Sequence, residues 1–520
     1  MNGKEMIRRA TAAAICVCLA AALSGCGRRG NEEKPLAPTL PPADVSMPAP
    51  DGDQAVRRAG DYTVYAYLPE KNTLQLTARN LFLEEGTGLQ ATAEALVREL
   101  LDEMNENRNE NERLELYQGD DRDRNVRIPE ISDGICTVNL APSARKLDKK
   151  ELYWLSLALT ATLCGLDEID GVNVLVADQS VALDTSGNLA MGTLSGRPGE
   201  NENLPGLWEH MDAKKAPLGN AGGRTPLNAA ATVYYPLSDG RGIGCESQMT
   251  TFPGQTPDEL AETLVTALSE TMKRRNGDGT LPVLEDYMLS TPVVTPRENG
   301  GRIVSIIFRE NIPELLNRWE TDLPCLIAAV TCTLTTFVPG VAEVSVRIGD
   351  KPVTEMSNSR YTTGTILGGL FHRSEAAVFL TGSVSVFFEK DGKLAACEKP
   401  VDREAADSPR TALEALLEGP DRREKENGMN ATLPAGVGKE DILGIAAEGD
   451  ALLVNLSANF RTEIRNAGAE KERLLCYSMV NTLCVNSGLR RVCFFFEAEQ
   501  AESIAGEIYW SGEFLYNPGL

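Results

Sequence analysis

Val384-Ser-Val-Phe-Phe388, Thr411-Ala-Leu-Glu-Ala-Leu-Leu417, Leu452-Leu-Val-Asn-Leu456, Thr482-Leu483 and Arg491-Val-Cys-Phe-Phe-Phe496 form the run on which the fold turns. The β-branched and aromatic pieces read as strands. Leu413 and Leu417 fall at helical spacing, so that piece reads as an amphipathic helix. The same landmarks recur upstream in the same order. Opening strands stand at Thr63-Val-Tyr-Ala-Tyr67 and Thr232-Val-Tyr-Tyr235, and helices at Ala93–Leu101 and Leu260–Leu268. Strand pairs end in Cys136-Thr-Val-Asn-Leu140 and Ile303-Val-Ser-Ile-Ile-Phe308. Thr162-Leu163 and Thr333-Leu334 mark a second helix, and Val172–Val176 and Val341–Val346 the strand after it. Asp133-Gly134, Gly300-Gly301 and Glu448-Gly449-Asp450 supply hairpin tips. Met191-Gly-Thr-Leu194, Thr363-Gly-Thr-Ile-Leu367 and Ser511-Gly-Glu-Phe-Leu515 close each copy as a clasp. One landmark alone is a chance event; the ordered set, three times, is a repeat.

Each unit therefore reads β-α-β-β-α-β plus a tail, an α+β domain of two layers with a mostly antiparallel sheet and both helices on its apolar face. The expected divisions are a unit at 61–196, a linker at 197–228, a unit at 229–371, a short linker at 372–379 and a unit at 380–520. Glycines and prolines in 197–228 predict a flexible connection.

The third unit resembles the sporulation and spore germination family, called GerMN. The matching residues are Val384–Phe388, Ala412-Leu-Glu-Ala-Leu-Leu-Glu-Gly-Pro420, Leu433-Pro-Ala-Gly-Val437, Leu453-Val-Asn-Leu-Ser-Ala-Asn-Phe460 and Val480-Asn-Thr-Leu483. At Asn455 the family more often has Asp. The first two units lack Gly-Pro after the first helix, and their assignment leans on likeness to the third. The resemblance implies three tandem GerMN-like copies and a role in assembling or stabilising an envelope complex, with other sporulation-complex proteins as partners. It implies no catalytic residues.

Outward to the N-terminus, Lys4, Arg8 and Arg9 precede an apolar run from Ala10 to Leu23 that is too short to span a bilayer. Leu23-Ser-Gly-Cys26 then has the form of a lipobox. Residues 1–25 read as a cleaved lipoprotein signal peptide, and Cys26 as the lipidation site that carries a diacylglycerol. Residues 26–60, with the proline-rich Lys34–Pro50, read as an extended, solvated tether. The expected location is the outer face of the cell membrane, held by the lipid on Cys26.

The 520 residues carry 51 basic and 75 acidic side chains, a net charge of −24. That balance argues against nucleic acid as a partner. Chemistry is sparse. The two histidines, His210 and His372, lie in the expected connectors and read as solvated. Outside the signal and lipobox an odd number of cysteines remains, with no Cys-x-x-Cys pair. Cys164, Cys332 and Cys484 fall beside the Thr-Leu landmark, where buried, reduced thiols are expected. Acidic runs at Glu106–Glu115 and Asp120-Asp121 read as solvated loop. Ser143-Ala-Arg-Lys146 fits Ser-x-x-Lys without the companion motifs of an acylating serine. Tyr509, Trp510, Phe514 and Tyr516 are expected to cover the last sheet. No catalytic residue, metal or cofactor is expected. The reading is a non-enzymatic assembly lipoprotein. The alternatives are an extracytoplasmic ligand- or cell-wall-binding lipoprotein, which needs a concave pocket between repeats, and an envelope hydrolase.

Overall fold

The structure is a computed structural model and describes residues 49–53, 60–67, 76–83, 89–106, 108–117, 129–166, 168–183, 187–195, 227–298, 300–361, 366 and 369–520. Residues 1–25, expected as a signal peptide, Cys26, most of the expected tether, the 197–226 connector with His210, and Asp120-Asp121 lie outside the described residues.

One element order occurs three times. In the first unit β1 (Gly60–Tyr67) and β2 (Leu76–Leu83) form a hairpin, and helix Leu89–Asn105 follows. β3 (Glu130–Ser132) and β4 (Ile135–Leu140) pair antiparallel. Helix Lys149–Leu163 then returns the chain so that β5 (Gly171–Val176) lies parallel to β4. Short strands β6 (Gln179–Ser180) and β7 (Leu194–Ser195) close on β5. The second unit runs β8 (Leu227–Pro236), β9 (Ile243–Phe252), helix Pro257–Asn276, β10 (Val293–Pro296), β11 (Arg302–Phe308), helices Ile312–Trp319 and Leu323–Phe337, and β12 (Val341–Ile348). β13 (Lys351–Pro352) and β14 (Leu370–His372) close on β12. The third runs β15 (Thr381–Lys390), β16 (Lys393–Asp402), helix Pro409–Glu418, β17 (Ile442–Glu448), β18 (Ala451–Leu456), helices Ala458–Ala467 and Ala469–Ser487, β19 (Arg491–Phe496) and β20 (Phe514–Leu515).

The class is α+β. Each opening strand has a partner that the sequence reading did not place, namely β2, β9 and β16, and this hairpin is separate from the larger sheet. The larger sheets are mixed, antiparallel except for the pair joined by the second helix.

Local chemistry explains the elements. Helix Pro257–Asn276 opens on a Thr256/Glu259 capping box with proline at its first turn, and ends at Gly277 in the left-handed region. Asp148, Asp322 and Ser457 each accept a backbone N–H at the start of their helices. The Thr-Leu landmark has a physical role in every unit. Thr162, Thr333 and Thr482 each accept, through Oγ1, the backbone N–H of an aromatic residue in the opening run. The donors are Tyr65 at 2.9 Å, Tyr234 at 3.0 Å and Phe387 at 3.1 Å. This bond ties the second helix to the opening hairpin, so the two landmarks recur together.

The third unit has its own core, which joins Val386 and Phe388 of β15 to Leu416, Leu452, Val480 and Phe494. The first two units are less separate. Tyr153 and Trp154 of the first unit's second helix belong to the same apolar cluster as Leu264, Leu326 and Phe337 of the second.

Candidate functional site at the junction of the three units

Polar groups from different units converge where the units meet. Residues 372–379, expected as a linker, are built into the fold: β14 ends at His372, and Arg373–Ala376 is a helical turn. Arg373 is 1% exposed. Its guanidinium spans two units: Nη2 donates to Glu130 Oε2 at 2.7 Å and to Tyr234 Oη at 3.0 Å, and Nη1 donates to Cys332 O at 3.3 Å and to Thr336 Oγ1. Burial opposes its charge, but Glu130 and Tyr234 outweigh that and hold its pKa well above the ordinary value.

His372, expected as a solvated linker residue, is half-exposed beside this node. Its Nε2 lies 3.3 Å from Glu343 Oε1, its backbone N–H donates to Glu375, and Arg297 also pairs with Glu343 at 2.7 Å. The expectation failed because the segment pairs with β12 instead of crossing solvent.

Two clefts flank the junction. One lies between the first and third units and is lined by Gln90, Asp133, Ser383, Asp407 and Asn486. The other is lined by Asp133, Tyr235, Arg275, Ser383, Glu398 and Glu424. Asp133 forms a wall of both. It sits at φ 47° in the β3–β4 turn, and its Oδ2 accepts Cys245 N–H at 2.8 Å. Burial raises its carboxyl above the usual range and outweighs that hydrogen bond. Arg275 stacks over the Tyr235 ring at 4.7 Å and pairs with Glu246 at 2.8 Å. Ser132 Oγ donates to Thr381 O at 2.6 Å, which joins the first and third units.

The other sequence candidates have structural positions. Ser143 donates to Arg113 O and Lys146 to Asn111 O, so both tie down the acidic 109–113 loop. The nine body cysteines are free thiols, eight of them buried. Burial pushes Cys332 and Cys484 up to about 12, so neither supplies a thiolate near neutral pH. Trp510 and Phe514 pack on Phe494 of β19, with ring centroids 5.4 and 5.6 Å apart, while Tyr516 stays exposed. Among the described residues no cluster of His, Cys, Asp and Glu could hold a metal ion, and no helix is long and apolar enough to cross a membrane.

Among the buried charges that sequence reading missed are Glu130, Arg373 and Glu472. Glu472 is fully buried and accepts the N–H groups of Ala505, Glu507 and Ile508, and the indole N–H of Trp510 at 2.8 Å. Arg373 carried no local signal, since it stands within the polar stretch His372-Arg-Ser-Glu375. Its partner, 243 positions away, left no sign.

Residues 385–502 match the family described as Germane: Sporulation and spore germination. No curated protein matches the chain. Three solved structures are similar. The tandem GerMN domains of the sporulation protein GerM from Bacillus subtilis are 17% identical, covering 56% of this chain and 98% of that one, with a TM-score of 0.22. A putative lipoprotein from Clostridium perfringens is 20% identical over 26% of this chain and 87% of its own, with a TM-score of 0.18. The first GerMN domain of the same Bacillus subtilis protein is 22% identical over 24% and 87%, with a TM-score of 0.20.

Proposed function

Residues 385–502 carry a domain of the sporulation and spore germination family, and from that premise we propose that the protein is a non-enzymatic envelope lipoprotein that assembles or stabilises a complex during sporulation or germination. The family match is the observation that carries this reading. The first two units repeat the element order of the third, and we extend the GerMN assignment to them on that ground. The lipobox ending at Cys26 supports a lipid anchor on the outer face of the membrane, with other envelope proteins as partners. The buried charges Arg373 and Glu130 are satisfied by each other and by neighbouring units, which suits a rigid scaffold.

The two junction clefts favour a second reading, an extracytoplasmic ligand-binding lipoprotein, because Asp133, Ser383 and Arg275 converge there. Spore formation separates the two. A strain lacking the gene is expected to lose heat-resistant spores or their germination, and a Cys26→Ala strain to lose the protein from the membrane fraction with a similar defect. Normal sporulation and germination in the deletion strain would sink the assembly reading and leave the ligand-binding one.

A further inference from the structure

The described end of the tether is docked against the unit farthest from it in sequence. Ala49 belongs to an apolar cluster with Ala451, Leu453, Cys493 and Phe495 on the outer face of the third unit's sheet. Register places these side chains together: Leu453 stands beside Cys493, and Asn455 beside Phe495. Their sequence neighbours Leu452, Val454 and Phe494 point to the other face, into the core. Polar contacts fix the segment along β17 and β18. Asn455 Nδ2 donates to Pro50 O at 3.1 Å, and Ile445 N–H donates to Asp53 Oδ1 at 3.1 Å. Arg410 Nη2 donates to Asp53 Oδ1 at 3.0 Å.

Two features show a surface shaped for this segment. A Cβ at Gly444 would stand 2.6 Å from both Gly52 N and Pro50 O, so the backbone approach needs glycine there. The second feature appears on comparing equivalent asparagines. In the first unit Asn139 accepts Asp178 N–H and donates to the Asp178 carboxylate at 2.7 Å. In the third unit Asn455 keeps the first bond, accepting Ala498 N–H at 3.0 Å. Alanine replaces the aspartate, and the freed amide donor turns to Pro50 instead.

The geometry points to a docking site on the third unit for a short extended acidic segment, with Ala49–Asp53 as its resident occupant. The segment Ala49–Asp53 is thereby held at the third unit, although the first unit follows it in sequence. The contacts carry this independently of the lipid reading.

The test is cysteine alkylation in the full chain, followed residue by residue by mass spectrometry. Gly444→Ala crowds the segment, and Asn455→Asp removes its donor while keeping the acceptor for Ala498. Each is expected to speed alkylation of Cys493 by about tenfold or more, as local release does. Cys476 and Cys484, inside the core, should stay slow. A synthetic peptide containing Ala49–Asp53 should restore protection in Asn455→Asp at high concentration, and not in Gly444→Ala. Unchanged Cys493 reactivity in both variants overturns the proposal. So does equal acceleration of Cys476 and Cys484, which signals unfolding of the unit.

Discussion

Arg373 at the junction and Arg410 under the tether each hold together distant parts of the chain, and their surroundings make them different devices. Arg373 is 1% exposed and its partner Glu130 is 5% exposed, with Tyr234, Thr336 and Cys332 completing the guanidinium's bonds. Arg410 and Asp53 are 24% and 39% exposed. A buried pair is costly to break because the remaining charge has neither partner nor water. An exposed pair is screened and contributes little. The first contact therefore fixes the architecture, and the second is suited to release.

The largest effect expected from breaking this comparison is at Arg373. Arg373→Met should destabilise the protein by about 3–5 kcal/mol in urea unfolding, because Glu130 is left buried without its partner. Adding Glu130→Met should recover most of that loss; a strictly additive double mutant would show that the two residues are not coupled. Next comes Glu472→Ala, which strands three backbone N–H groups and the Trp510 indole, at a cost of about 3 kcal/mol. Trp510 fluorescence should shift with it. Equal loss across the first two units would contradict a separate core for the third.

Smaller effects test the repeated threonine. Thr162→Val, Thr333→Val and Thr482→Val each leave a strand N–H unpaired, and about 1–2 kcal/mol is expected for each in thermal or urea unfolding. A variant with no measurable loss would remove the bond from its place as the common brace of the units.

Asp133 sharpens the comparison through pH. Its folded carboxyl is raised above 3.8, so the folded state holds this proton more tightly than the unfolded chain. The stability it contributes is full below 3.8 and is lost as pH rises through the folded value. Asp133→Asn keeps an acceptor for Cys245 and suits the left-handed turn. The melting temperature of this variant relative to the parent should therefore climb from acid to neutral pH; a flat difference would place Asp133 in water. Smallest of all, Asp53→Asn should change global stability by about 0–1 kcal/mol, with the difference fading in high salt.

Much of the fold was legible because burial imposes period. Inward residues of β18 and β19 alternate, and the helix leucines recur at three and four, so those elements and their order stand in the sequence. The partner strands β9 and β16 were not legible. Ser247, Met249 and Thr251 of β9 are exposed, as are Lys393, Ala396 and Glu398 of β16, so no continuous apolar stripe announces them. The junction was not legible either. A helical turn that reads as linker is packed into the fold, where Arg373 meets a carboxylate from another unit.

By itself the sequence determined the α+β class, the recurring element order and the GerMN likeness of the third unit, since each rests on local spacing or a contiguous motif. Only the tertiary structure decided that the first two units share a core, that Arg373 and Glu130 lock them, and that Ala49–Asp53 lies on the third sheet. Those contacts join residues hundreds of positions apart. Their energy depends on which surfaces exclude water together, and no local pattern encodes that.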